Sequence, residues 1–161
     1  MLFGMEKVVA IINPNEEILN LQERSVEEIS ELLPHSRVEL VGAMAVPMVG
    51  RPEIDILVIS EDVHKDSEIL AQHEYKQGSF VDEASFLKRK ENGVEIAVQI
   101  MSLDNEMIET HRGIISTLRK NDDLRKKYED FKQSLDGLTI EEYKRKKSTW
   151  LKENISPLLK G

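Results

Sequence analysis

Apolar residues recur at helical spacing between Asn15 and Pro34. Ile18, Leu21, Val26, Ile29, Leu32 and Leu33 make one stripe with charged residues between them, the pattern of a helix that buries one face. Asn15 precedes the stripe as a side-chain cap, and Glu16 and Glu17 place acids at the positive end of the helix dipole. Pro34 ends the segment. Residues 6–13 (EKVVAIIN) read as a short strand or extended lead-in, broken at Asn13-Pro14-Asn15.

The period changes to two at residue 37. RVELVG (37–42) predicts a strand running into a Gly turn, and EIDILVIS predicts a second strand over about 53–60. Along the second strand Ile54, Ile56 and Val58 share one face, while Glu53, Asp55, Leu57 and Ile59 share the other. Both faces are apolar beyond the acids, which predicts a central strand covered on one side by helices. Residues 61–75 predict a helix with Val63, Ile69, Leu70 and Tyr75 inward. Phe80, Phe86 and Leu87 suggest one or two short strands around an Asp82-Glu83 turn. Asn92-Gly93 is a hairpin signal. The returning strand, VEIAVQIM (94–101), sets Val94, Ile96, Val98 and Ile100 against Glu95, Ala97, Gln99 and Met101.

From Asn105 the pattern is helical. Asp136-Gly137 marks a break, and Thr139 with Glu142 forms a capping box for the last long helix. Tyr128 with Phe131, and Tyr143 with Trp150, fall on shared helix faces, where packing is their expected job. The expected architecture is α+β: a mixed sheet packed against helices, forming one domain over 1–161. Residues 1–103 would be its mixed α/β core and 104–161 its C-terminal helical region.

Composition narrows the chemistry. A length of 161 residues, 40% hydrophobic and 32% charged, suits a single soluble domain. With no cysteine there is no disulfide, zinc-thiolate site or Cys nucleophile. His35, His64, His73 and His111 lack metal-ligand spacing, so surface or capping roles are expected. No apolar run approaches a membrane span, and the N-terminus lacks a cleavage pattern, so a cytoplasmic protein is expected. The net charge of −8 is uneven: residues 1–111 carry 9 Lys and Arg against 22 Asp and Glu, while 112–150 carry 11 against 7. That leaves no broad basic surface for general nucleic-acid binding, but does allow a small phosphorylated ligand.

The candidate chemistry lies in LVGAMAVPMVGRPEIDILVI (40–59). Glu53 and Asp55 project to one side of a strand, and paired carboxylates repel unless a cation or proton relieves them. Hard divalent cations accept such oxygen ligands. Glu95, on the returning strand, is the candidate third acid; its simpler reading is a solvent-facing residue after a hairpin.

A Gly turn followed by acid–apolar–acid at a strand start resembles the nucleotidyltransferase superfamily, and within it the GrpB family. The GrpB signature runs roughly Gly-Ser-Thr-Ser-Val-Pro-Gly-Leu, a short spacer, Lys-Pro, two apolar residues and Asp-Ile. Gly42, Val46, Pro47, Arg51, Pro52, Asp55 and Ile56 match it. Leu118, Arg119, Tyr128 and Lys132 match a later pattern, as do Tyr143, Lys147 and Trp150. Ala43 departs from the family's Ser, which helps hold a nucleotide phosphate. Met44, Ala45 and Met48 replace Thr, Ser and Gly, and the spacer before Arg51 is one residue short. Leu40, Glu95 and Ala97 stand where the family often has His.

The resemblance implies a nucleotidyltransferase-like fold and a metal-dependent nucleotidyl or phosphoryl transferase. Glu53, Asp55 and Glu95 would be catalytic and would hold Mg2+ or Mn2+. Gly42, Ala43, Arg51, Arg119 and Lys132, with Lys147 beside them, would face the phosphates of a nucleotide or other phosphorylated small molecule. The departures favour an alternative, a binding or interaction module that keeps the scaffold without the chemistry. Family members joined to dephospho-coenzyme A kinase suggest a nucleotide or coenzyme setting by analogy. A third reading uses Met44, Met48 and Val49 as an apolar contact for a protein partner. What separates these readings is whether Glu53, Asp55 and Glu95 converge.

Overall fold

The computed structural model describes residues 8–81 and 83–159. Glu6 and Lys7 of the expected lead-in, and Asp82 of the expected turn, lie outside them. Helix α1 (Glu16–Leu32) starts as the sequence predicts: the Asn15 side chain accepts from the Ile18 N–H at 2.9 Å. Strand β1 (Arg37–Val41) runs into a single 3-10 turn, Ala43–Ala45, and strand β2 (Glu53–Ser60) returns antiparallel to it. Helix α2 (Val63–Ala71), capped by Asp62, leads to β3 (Lys76–Val81) and β4 (Ala84–Glu91). Asn92 and Gly93, at φ 51° and 79°, form the β4–β5 turn, and β5 (Val94–Ser102) closes the sheet in the order β1-β2-β5-β4-β3. The β2–β5 pair is parallel, with Glu53 opposite Glu95 and Asp55 opposite Ala97.

Helices cover both faces of this sheet, not one. Ile54, Ile56 and Val58 with Ile96, Val98 and Ile100 pack under α1 and α2. Leu57, Ile59 and Met101 pack under helices α3 (Met107–Lys120), α4 (Asp122–Gln133) and α5 (Ile140–Asn154), with the short α6 (Ser156–Leu159) beside them. The second cover exists because the C-terminal helices carry their own apolar stripe, Ile108, Ile115 and Leu118 on α3, which the face of β2 beyond the acids can bury. Tyr128 of α4 stacks on Trp150 of α5 at 4.6 Å, and Phe131 lies 5.7 Å from the same ring. Trp150 therefore pairs with α4, while Tyr143 joins Val9 and Leu135 in a separate small cluster.

The lead-in is extended and ties two parts of the chain together. Val9 N–H donates to Leu138 and accepts through its carbonyl from Gly137, at 2.8 and 2.9 Å; Ile12 and Gly50 exchange bonds of 2.8 and 3.1 Å. It thus joins the α4–α5 connection to the loop that follows β1. Among the described residues, no helix is long and apolar enough to cross a membrane.

Candidate functional site

The loop from Gly42 to Gly50 is held on four sides. Gln22 of α1 donates to the Met44 carbonyl at 3.2 Å, and Glu129 of α4 accepts from the Val49 N–H at 3.1 Å. Arg119 of α3 donates to the carbonyls of Ala45 and Val46, and Ile12 pairs with Gly50. Met44, Met48 and Val49 are 1%, 1% and 3% exposed. This corrects the idea of an apolar contact for a partner, because these side chains are spent on the protein's own core.

Beneath the loop lies a cavity of about 200 Å3, lined by Gly42 and Ala43, by Asp55 and Gln99 from the sheet, and by residues of α3, α4 and α5. Gly42 meets Asp55 so closely that a Cβ there would stand 2.2 Å from Asp55 Oδ2. Lys132 reaches the same cavity from α4. It is 1% exposed, its Nζ lies 4.4 Å from the Tyr128 ring, and it faces Gly50. Lys147 enters from α5, with its Nζ 5.7 Å from the Tyr143 ring. Among the described residues neither lysine has a carboxylate within 4 Å.

Burial dominates the electrostatics. Loss of solvent, with Glu53 nearby, pushes the Asp55 carboxyl up to about 8 against the pull of Lys147. Loss of solvent, with Lys147 adding repulsion, pulls the Lys132 amine down to about 7. Burial likewise lowers Lys147, opposed by Asp55 and Glu53, and lowers His111 on the cavity wall. An anion in this cavity would stabilise the charged form of both amines.

Glu53 and Asp55 lie close enough to hydrogen-bond and to repel one another, and the third acid, Glu95, does not join them. Asp55 lines the cavity. Glu53 lines an open groove at the sheet end with Glu95, Arg51 and Lys90, and takes Arg51 as its partner. Glu95 stands opposite Glu53 in register, but its carboxylate meets Lys88 at 3.5 Å. Among the described residues no three carboxylate or imidazole groups converge as a metal cage. The Mg2+ or Mn2+ implied by the resemblance would have two neighbouring carboxylates here, Glu53 and Asp55, and not three, because Glu95 is paired with Lys88.

Of the candidate phosphate contacts, Gly42, Ala43 and Lys132 line the cavity. Arg51 lies outside it against Glu53 and Tyr143, and Arg119 holds the loop. Sequence reasoning overlooked Gln99, and expected a surface or capping role for His111, which instead is half-buried on the cavity wall. Strand alternation could have found Gln99, which shares a face with Glu95; no spacing in the sequence signals His111.

A mixed sheet whose second strand starts on acid–apolar–acid beside a Gly turn, with a helical layer over that face, defines a nucleotidyltransferase-like α+β protein. Solved structures share this fold at low identity. Over 70% of this chain and 39% of its own, the Cid1 poly(U) polymerase superposes with a TM-score of 0.52 at 11% identity. A cytoplasmic RNA terminal U-transferase gives 0.51 at 12%, over 76% of this chain and 41% of its own.

Within that class the chain belongs to the GrpB family, whose model, described as GrpB protein, matches residues 8–156. GrpB of Enterococcus faecalis superposes over 93% of this chain and 97% of its own, with a TM-score of 0.81 and 22% identity. A UPF0157 protein of Vibrio cholerae is 31% identical over 137 residues, 82% of this chain and 72% of that protein.

Proposed function

We propose that this GrpB-family protein binds a phosphate-bearing small molecule in the cavity under the Gly42–Gly50 loop, with Lys132 and Lys147 as its cationic contacts. One observation carries the reading: Lys132 is fully buried on a cavity wall with no carboxylate partner among the described residues. Retaining an unpaired amine there costs stability unless something anionic completes it. Gly42 and Ala43 bring backbone to the same wall, where no large side chain obstructs a phosphate. The cations supply the charge that a divalent metal supplies elsewhere, so binding needs no Mg2+.

A thermal-unfolding screen against phosphate, pyrophosphate, sugar phosphates and nucleotides, in chelator, tests this. A ligand that binds only the folded state raises the melting temperature with occupancy. At least one phosphorylated compound should raise it in wild type and not in Lys132→Met. The absence of any shift at millimolar concentrations would refute the reading.

Nucleotidyl transfer is the second reading, favoured by the placement of Glu53 and Asp55 on one face of β2 and by the fold shared with Cid1 poly(U) polymerase. Its test is pyrophosphate release from nucleoside triphosphates in the presence of Mg2+ or Mn2+.

A further inference from the structure

We infer that the ligand of this cavity is a compact amphiphile, a single phosphate head on an apolar body, and not a nucleotide. This rests on the phosphate-binding reading above and concerns the rest of the ligand. The cavity's charged groups are clustered. Lys132, Lys147 and Asp55 gather beside Gly42, while α3 and α5 contribute an aliphatic part of the lining, Ile114, Leu118 and Leu151. The other polar groups in the lining are the Gln99 amide, Tyr128 and the imidazole of His111, whose Nε2 is buried without a hydrogen-bond partner among the described residues.

Size and satisfaction both argue against a nucleoside. At about 200 Å3 the cavity falls below the roughly 300–1,000 Å3 of ordinary small-molecule sites. A base and a ribose bring several donors and acceptors, and each one buried without a partner loses its hydration with nothing in return. An alkyl or aromatic body brings none. It gains from desolvation against Ile114, Leu118 and Leu151, and one polar atom at its far end could be met by His111 Nε2.

The test compares four probes by calorimetric titration: inorganic phosphate, phenyl phosphate, ribose 5-phosphate and uridine 5′-monophosphate. Phenyl phosphate should bind about tenfold or more tighter than inorganic phosphate, through apolar burial alone, and tighter than either ribose compound. Ile114→Ser should weaken phenyl phosphate several-fold more than inorganic phosphate. Leu151→Ser, at another half-buried wall position, serves if the first variant folds poorly. Equal affinity for phenyl and inorganic phosphate, or tighter binding of uridine monophosphate, overturns the inference and leaves the lysine-phosphate reading intact. No binding of any of the four overturns both.

Discussion

The backbone of Gly42 presses against the carboxylate of Asp55: a Cβ at position 42 would lie 2.2 Å from Oδ2 and 2.9 Å from Cγ. Gly42 also sits at φ 78°, a region that side chains disfavour. Gly42→Ala therefore meets a collision and a strained backbone together. It should lose roughly 2–4 kcal/mol of stability, the range of a tight steric fault plus backbone strain. Urea unfolding measures this; a change under 0.5 kcal/mol would mean that the loop is not locked to the acid.

Lys132 places function against stability. Replacing a buried, unpaired amine by an apolar group of similar length removes a desolvation cost, so Lys132→Met should gain about 1–3 kcal/mol. The same variant should lose phosphate binding. A destabilised variant would mean that Lys132 holds the fold through a partner.

Arg119 should behave in the opposite way. Its guanidinium satisfies two carbonyls of the 3-10 turn, and Arg119→Ala leaves them short of donors at a cost of roughly 1–3 kcal/mol. Hydrogen exchange should show faster opening of residues 43–49. Unchanged protection there, with lost phosphate affinity, would recast Arg119 as a direct ligand contact.

The site also sets a pH dependence with two opposed parts. Asp55 is pushed up from 3.8 to about 8, so across that window the folded state keeps a proton that the unfolded chain releases, and stability falls as pH rises. Lys132 is pulled down from 10.5 to about 7, so above pH 7 the unfolded chain holds the extra proton and stability recovers. Denaturation midpoints should therefore be lowest near pH 7–8. In Asp55→Asn the fall between pH 5 and 8 should shrink; an unchanged profile would assign it to other groups. Phosphate affinity should decline as pH rises above 7, as Lys132 loses its charge.

Much of the fold was legible because its signals are local. Asn15, Asn92-Gly93 and the Thr139 cap each act within a few residues, and each lies where its chemistry demands. The period-two pattern gave β2 and β5 their faces and put Glu53, Asp55 and Glu95 on the same side. What the carboxylates do there was not legible. Glu95 turns to Lys88 because β4 pairs beside it, with Lys88 opposite Ala97, a register fixed by the hairpin and not by the motif. Trp150 chose Tyr128 over Tyr143 because α4 packs against α5, a contact that spacing within one helix cannot reveal. Likewise the burial of Met44 and Met48 depends on α1 and on the C-terminal helices closing over the loop.

The most direct test of phosphate binding without a metal is a calorimetric titration of inorganic phosphate, run in EDTA and again with Mg2+. The lysine cavity predicts binding of comparable strength in both, abolished in the Lys132→Met, Lys147→Met double variant. Binding that appears only with Mg2+, disappears in Asp55→Ala and survives the double variant would contradict it, and would return the acids to the role of metal ligands.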